Sequence, residues 1–432
     1  MKKPYFLLPV ICLFTFTAQA QIKEAEVKRI LSVLSADDMQ GRMIFTPGIE
    51  KAAVFLEDEF KKAGLQPLDG AASYRQTFAR YNIRSQKQQL TIGGKEEDGQ
   101  RVMMMGVETH LEWNEKTPVE VKQLRDTDNF DAKLGELRGA SRNTLVWVDG
   151  IHREKFETYY KSLHEGNSKR SRDSSAAVVL ILKEGQESTP DVWGVKIDQE
   201  VVRMPLSNIA GMIKGSSKPD EYVIFSGHYD HIGILPPVAG DSIANGADDD
   251  ASGVTAVLML AKYFKQHPPA RTLLFVAFTA EESGGYGSRY FSQQLNPEKI
   301  VAMFNIEMIG KESKFGQNSA FITGFERSDF GTILQKNLEK SVFRFHPDPY
   351  PEQQLFYRSD NATLARLGVP AHTISTTQID KDERYHSVDD EMDSMDVKNI
   401  ASIIQAIATS ATSIVNGVDT PTRIDKEGVG RN

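Results

Sequence analysis

Five short segments of the sequence carry imidazole and carboxylate side chains, the groups that bind divalent metals and transfer protons. They are the segments 227–231, 246–253 and 279–282, together with Glu307 and His386. Zinc binds imidazole nitrogen and carboxylate oxygen. A pair of zinc ions needs a bridging carboxylate and can stabilise both the attacking and the leaving oxygen of a hydrolysis. Two histidines with several carboxylates in one place therefore predict a zinc hydrolase site.

The first segment, Gly227-His228-Tyr229-Asp230-His231, follows a predicted strand. Side chains alternate between the two faces of a strand, so those of His228 and Asp230 are expected to point the same way. Asp230 can then accept the second ring proton of His228, as metal-bound histidines generally need. The same alternation predicts that His231 points away from the metals.

The adjacent glutamates, Glu281 and Glu282, must do different jobs in such a site. One can bind metal while the other takes a proton from metal-bound water and passes it to the leaving amine. A purely structural alternative also exists, because Thr279 and Glu282 fit a helix capping box. Asp250 can likewise cap the helix that follows it. The joint placement of all five segments favours the site over these separate explanations.

The elements that must position these segments alternate between strand and helix. The predicted strands are Tyr222–Ser226, Thr272–Phe278, Val301–Ile306 and Ala371–Ser375. A helix with Val254, Val257 and Leu258 on one face lies between the first two strands, and a final helix starts near Val397. This order predicts an α/β fold with a mostly parallel central sheet flanked by helices. Ligands of such sheets bind beyond the carboxyl ends of the strands, where the segments would converge.

The rest of the chain divides by composition. Residues 24–82 are predicted to be helical, with Gly64 ending the second helix. Residues 83–200 have short strand-like runs, such as 144–148 and 176–182, and predict a small, mostly-β inserted subdomain. The main domain would then comprise residues 21–82 and 201–416, followed by a polar tail over 417–432.

The N-terminus has the pattern of a secretory signal peptide over residues 1–20. Lys2 and Lys3 precede an apolar run that ends near Thr17, and Ala18-Gln19-Ala20 is a small-x-small cleavage site. The run is shorter than the roughly 18 residues of a membrane-spanning helix. No later stretch is long and apolar enough to span a membrane, so we expect a periplasmic or secreted protein.

Composition excludes some classes of partner and chemistry. Cys12, the only cysteine, lies in the predicted signal peptide, so the mature chain has no thiolate for catalysis or zinc binding. The formal charge of −8 argues against a nucleic-acid partner. The sequence carries no signal for an oligomeric state.

In combination, the segments resemble the motifs of the M28 family of zinc peptidases, which includes bacterial leucyl aminopeptidases. The matching stretches are Gly227–Asp230, Gly246–Gly253, Glu281–Ser288, Asn305–Gly310 and Tyr385–Asp389. The resemblance covers roughly residues 205–395 and implies the phosphorylase-like α/β fold of zinc peptidases. It also implies that residues 21–82 and 201–416 form the peptidase domain.

The resemblance implies a role for each residue of the site. His228 would bind one zinc ion and His386 the other, with Asp249 as the bridge. Glu281 would be the general base, and Glu282 would be a ligand of the His386 zinc. Asp230, which the strand pattern rather than the resemblance places beside His228, would be a catalytic residue that fixes the tautomer of that histidine.

Glu307 departs from the family pattern, which has an aspartate at this position. Glutamate keeps the charge and the oxygen donors but adds a methylene group. Two zinc ions per chain are expected, with Glu307 bearing on how the His228 zinc is held.

The function implied is that of an exported, zinc-dependent aminopeptidase, which hydrolyses the N-terminal residues of peptides with metal-activated water and a glutamate base. Two alternatives stay open. A glutaminyl cyclase of the same fold typically uses one zinc ion and no water. A non-catalytic, metal-binding relative would keep the ligands without turnover.

Overall fold

The computed structural model describes residues 21–164, 168–170, 176–184 and 189–426. The predicted signal peptide, residues 1–20, lies outside the described residues, as do positions 427–432 of the predicted tail. Among the described residues, none of the helices combines the length and apolar character needed to cross a bilayer. The chain forms two compact units, one from residues up to Gln76 together with those from Ser207 onward, and one from Thr77–Leu206.

The structure contains both strands and helices throughout the described residues. The strands are β1 Gln66–Pro67, β2 Arg75–Ile92, β3 Lys95–Glu97, β4 Val102–Met105, β5 His110–Asn114, β6 Glu120–Leu124, β7 Thr144–Val148, β8 Ser168–Arg170, β9 Val178–Leu182, β10 Trp193–Ile213, β11 Lys218–His228, β12 Gly233–Val238, β13 Asp241–Ala244, β14 Arg271–Phe278, β15 Ile300–Ile306, β16 Ser319–Ile322, β17 Arg344–Pro347 and β18 Ala371–Ser375. The helices are α1 Glu24–Leu34, α2 Pro47–Lys62, α3 Phe130–Arg138, α4 Arg153–His164, α5 Gly253–Gln266, α6 Tyr286–Gln293, α7 Phe330–Asn337, α8 Asn361–Ala365, α9 Val397–Ser410 and α10 Thr412–Val415.

The sheet of the first unit has parallel strands at its centre. Strand β11 pairs in parallel with β14 on one side and with β15 on the other, and β15 pairs in parallel with β18. Antiparallel strands flank them, because β10 pairs with β14 and β16 pairs with β18. Every residue of β14 is buried, as expected for a parallel strand covered on both faces. The predicted α/β class with a mostly parallel central sheet is confirmed.

Helices cover both faces of this sheet. On one face, α1, α2, α5 and α9 bury their apolar sides in a single core cluster. Phe225 of β11 stacks there on Phe264 of α5, on Phe275 of β14 and on Phe304 of β15. On the other face, α6 and α8 contribute Phe291 and Leu364 to a second cluster. This packing fixes the strands, and with them the loops that leave their carboxyl ends.

The second unit has its own four-stranded sheet in the order β4-β9-β7-β6. Strands β6, β7 and β9 run parallel, and β4 pairs antiparallel with β9. Helices α3 and α4 bury Phe130, Leu134 and Phe156 against this sheet. Strands β7 and β9 correspond to the predicted runs 144–148 and 176–182.

The prediction of helix over residues 24–82 is wrong after Gly64. Helix α2 ends at Lys62, and Gly64 follows with φ of 73°, the left-handed conformation in which glycine ends a helix. Strand β2 then begins at Arg75. Pairing between strands, which a helical period cannot reveal, decides the structure of this segment.

The carboxyl ends of β11 and β15 and the start of α5 are held together by one side chain. The buried Asp250 carboxylate accepts hydrogen bonds from the backbone N–H of His228 at 3.0 Å, and from those of Gly253 and Met308 at 3.1 Å each. Helix α5 approaches β15 closely at Gly253. Only glycine fits there, because a Cβ atom would lie 2.1 Å from the backbone oxygen of Ile306.

Replacement of Gly253 by alanine is therefore expected to destabilise the protein. The added methyl group would force the start of α5 away from the end of β15. We expect the free energy of unfolding to fall by roughly 2 kcal/mol or more in denaturant titrations.

Gly135→Ala is the matched control, because nothing lies within 4 Å of a Cβ atom at this exposed position in α3. Alanine should stabilise that helix by roughly 1 kcal/mol. If Gly253→Ala were as stable as the wild type, the close approach of α5 to β15 would be refuted.

Candidate metal centre

Asp249 lies at the centre of the site, with one carboxylate oxygen directed to each of two histidines. Its Oδ1 is 3.1 Å from Nε2 of His228, and its Oδ2 is 3.2 Å from Nε2 of His386. Burial opposes ionisation of this carboxyl group, but the hydrogen bonds from His228 and His386 outweigh it and hold the pKa of Asp249 well below its usual value. The Asp249 carboxylate thus brings the two imidazoles together at one place.

The two neighbours of Asp249 are occupied with the backbone. Asp248 Oδ1 accepts the N–H of Gly310 at 2.7 Å, and Asp250 binds three N–H groups, as described above. The N–H groups of Asp248 and Asp249 both donate to the carboxylate of Asp390 at 3.0 Å. Only the middle aspartate of the triplet is thus left to face the histidines.

Glu282 lies on the side of His386. Its Oε2 is 3.1 Å from Nε2 of His386. Hydrogen bonds with Asp249 and Glu282 raise the pKa of His386 to about 10 in the absence of metal. The capping-box explanation of Glu282 is wrong, because helix α6 begins only at Tyr286 and the Glu282 carboxylate faces the histidines.

Glu281 and Glu307 contribute two further carboxylates. Burial raises the pKa of Glu281 well above its usual value; the charge of His228 opposes this rise and that of Glu307 adds to it. Burial also raises the pKa of Glu307 to about 7. Among the described residues, Oε2 of Glu307 has no hydrogen-bond partner.

The expected hydrogen bond between His228 and the Asp230 carboxylate is not present. Nδ1 of His228 is 3.1 Å from the backbone oxygen of Asp230 and 3.9 Å from its Oδ1. Strand β11 ends at His228, so the alternation of side chains does not extend to Asp230. The Asp230 carboxylate instead accepts the N–H of Glu281 at 3.1 Å, and it therefore positions Glu281.

The structure places His231 inside the cluster, contrary to the expectation from strand alternation. Its Nδ1 is 2.9 Å from Oε1 of Glu282 and 3.8 Å from Oδ2 of Asp249. His231, Asp249, Glu282 and His386 each offer one ligand atom, and these atoms lie within 4.8 Å of one another. Strand β11 ends at His228, three residues before His231. Strand alternation therefore no longer decides where the His231 side chain points, and an earlier strand end would have indicated its place in the cluster.

The donor set fits zinc. The site offers imidazole nitrogens and carboxylate oxygens, which are the ligands of cysteine-free zinc centres. Burial raises the pKa of Asp230 to about 7 and that of Asp360 to about 6, in addition to the shifts at Glu281 and Glu307. So many carboxyl groups, crowded in one buried place, ionise together only when cations lie among them.

Comparison with known proteins agrees with this geometry. Residues 208–411 match the model of peptidase family M28. The chain carries an M28 peptidase domain. The matched stretch accounts for just under half of the chain.

Curated relatives match a limited part of the chain. A protein of Pyrenophora tritici-repentis named "Probable zinc metalloprotease" is 38% identical over 118 residues, which are 26% of this chain and 27% of the relative. Another so named, from Leptosphaeria maculans, is 30% identical over 142 residues, 31% of this chain and 33% of the relative. The alignments thus span about a quarter to a third of these relatives. The names and the ligand cluster together support zinc as the metal.

Solved structures share the fold of this M28 domain protein. An aminopeptidase from Aneurinibacillus sp. strain AM-1 has a TM-score of 0.52 at 19% identity, with 95% of this chain and 98% of the other covered. A zinc aminopeptidase from Bacillus subtilis has a TM-score of 0.53 at 16% identity, with 95% and 97% covered. At these identities the likeness establishes the fold alone.

Removal of metal should make stability depend on pH in a predictable direction. In the metal-free protein Glu307 and Asp230 have pKa values of about 7, against ordinary values of 4.5 and 3.8. The folded state therefore holds their protons to higher pH than the unfolded chain does. The stability that this contributes is present below about pH 4 and is lost as the pH rises through about 7.

Thermal melting of the chelated and the zinc-loaded protein, from about pH 5 to about pH 8, measures this effect. We expect the melting temperature of the chelated protein to fall over this range and that of the zinc-loaded protein to fall less. A chelated protein that becomes more stable as the pH rises would contradict the proposed carboxylate cluster.

Proposed function

We propose that this protein is an exported, two-zinc aminopeptidase that hydrolyses the N-terminal residues of peptides. One observation carries the proposal: the two carboxylate oxygens of Asp249 face His228 and His386 separately, at 3.1 and 3.2 Å. A single metal site would not need an aspartate shared in this way. Export rests on the signal-peptide pattern of residues 1–20, which supports a periplasmic or secreted location.

The five ligands divide into two sets that share Asp249. His228 and Glu307 would complete one zinc site, and Glu282 and His386 the other. When bound, the zinc ions polarise the scissile carbonyl group and make water acidic enough to attack near neutral pH. Among the described residues, Oε2 of Glu307 has no hydrogen-bond partner and is the oxygen left for a metal.

Glu281 is assigned as the general base because Glu282 is already engaged. The Glu282 carboxylate contacts His231 and His386, whereas among the described residues no histidine forms a hydrogen bond with the Glu281 carboxylate. Glu281 takes a proton from the attacking water and returns it to the leaving amine. A carboxyl group whose pKa is raised by burial suits both transfers, since proton transfer is most effective when the pKa lies near the working pH.

A cavity beside Glu307 supports an exopeptidase. It has a volume of about 50 Å³ and is lined by Phe321, Leu355, Ile379 and Tyr385 together with Arg358 and several serine and threonine side chains. We assign to it the side chain of the substrate's N-terminal residue. Its small volume and mixed lining favour a small side chain over a bulky one.

Glu281→Gln tests the assignment of the base. The amide keeps the size of the side chain but cannot accept the proton, so kcat should fall about a thousandfold. Zinc content should stay at two ions per chain, because Glu281 is not among the ligands. Hydrolysis of a panel of aminoacyl amides and zinc quantification on the same preparation measure both quantities.

Glu298→Gln is the matched control, because Glu298 is an exposed glutamate that pairs only loosely with Arg423 and Lys426. The activity of the Glu298→Gln variant should equal that of the wild type. Retained activity in Glu281→Gln would defeat the assignment. One zinc ion per chain with ammonia released from an N-terminal glutaminyl peptide would indicate a cyclase instead. Bound zinc without turnover of any substrate would indicate a non-catalytic relative.

A further inference from the structure

His231 is a buried imidazole beside the metal centre that has no role among the five proposed ligands. Its side chain is fully shielded from solvent. Nδ1 lies 2.9 Å from Oε1 of Glu282, within hydrogen-bond distance. Among the described residues, Nε2 is buried with no hydrogen-bond partner. The two nitrogens of this ring therefore have very different surroundings.

These surroundings decide where the ring proton lies. With the proton on Nδ1, the ring donates to Glu282, and Nε2 is left as an unpaired acceptor. If Nδ1 instead bound a metal, the proton would have to be on Nε2, where it would be a buried donor without an acceptor. Buried unpaired donors are rarer in proteins than buried unpaired acceptors. The first arrangement is therefore the favoured one, and it makes His231 a hydrogen-bond donor to Glu282.

The ring is held in this orientation by its neighbours. A Cβ atom on Gly246 would lie 2.6 Å from Cδ2 of the His231 ring, so the ring rests against a glycine that leaves just enough room for it. The ring of His386 meets it edge to face, with centroids 5.7 Å apart. The N–H of His231 donates to the backbone oxygen of Arg42 at 3.3 Å. These contacts leave the imidazole little freedom to turn.

We propose that His231 is a positioning residue: its Nδ1–H fixes Oε1 of Glu282 and so orients that carboxylate toward the metal on the side of His386. This inference rests on the proposed function, because it takes Glu282 as a zinc ligand. Carboxylates that bind metals are generally held by hydrogen bonds, and loss of such a partner typically costs 10–100-fold in metal affinity. His231 thus acts on the metal through Glu282 and does not touch it.

Two substitutions distinguish this role from that of a sixth ligand. In His231→Asn the amide nitrogen lies near the position of Nδ1 and can still donate to Glu282, but an amide nitrogen does not bind zinc. In His231→Ala the donor is lost. We expect zinc affinity, measured by chelator competition, to fall about 10–100-fold in His231→Ala. We expect His231→Asn to stay within about threefold of the wild type.

Cobalt substitution gives a second readout that does not depend on activity. The visible absorption of Co²⁺ reports coordination number, so the His231→Asn spectrum should match that of the wild type. If Nδ1 were a ligand, His231→Asn would lose as much affinity as His231→Ala, and its cobalt spectrum would change. Either result would overturn the positioning role.

His372→Ala is the matched control for loss of a buried histidine. His372 is fully buried in β18 and hydrogen-bonds Ser328 and Thr323, none of which is a proposed ligand. The His372→Ala substitution should lower the melting temperature without weakening zinc binding. An equal loss of zinc affinity in both alanine variants would reduce His231 to a packing residue. Absence of zinc binding by the wild type would instead overturn the proposed function, so the two failures are distinguishable.

Discussion

The site depends on one electrostatic arrangement, the pairing of buried backbone N–H groups with buried carboxylates at the end of the sheet. At the end of β11 and just beyond the end of β15, the N–H groups of His228 and Met308 are not paired with a strand, and leaving them unpaired away from water would be costly. The Asp250 carboxylate accepts the N–H groups of His228, Gly253 and Met308 and so ties two strands to one helix. The position of His228 at the metal centre follows from this, because its own backbone is one of the three groups held.

The carbonyl groups around the same loop are held by the opposite charge. The fully buried Arg42 donates to the backbone oxygens of Tyr229, Leu34, Asn245 and Gly246. The backbone N–H groups around the site thus donate to carboxylates, and the backbone carbonyl groups around it accept hydrogen bonds from the guanidinium group of Arg42. The loop that presents Asp249 is fixed by the protein itself, which is the preorganisation that a metal centre needs to bind its ion without reordering the chain.

The sequence predicted those parts of the structure that depend on local pattern. Strand β18 has the predicted bounds, Ala371–Ser375, and β14 starts one residue before its predicted start. The choice of Asp249 within the triplet 248–250 came from the family resemblance. No period or propensity separates three successive aspartates, and what separates them is which backbone N–H groups the fold brings to each one.

His231 and Asp230 show where reasoning from alternation ends. The period of two holds only inside a strand, and β11 stops at His228 because its neighbour β14 stops opposite, at Phe278. Beyond that point each side chain follows the turn of the chain. A metal site at the carboxyl edge of a sheet needs turns of this kind, because its ligands have to converge from several strand ends. The alternation of side chains therefore fails first at the residues that bind the metal. Asp230 is hydrogen-bonded to Glu281, and His231 to Glu282. Both glutamates follow β14, the neighbour of β11 in the sheet. The segments after these two strands therefore stabilise each other.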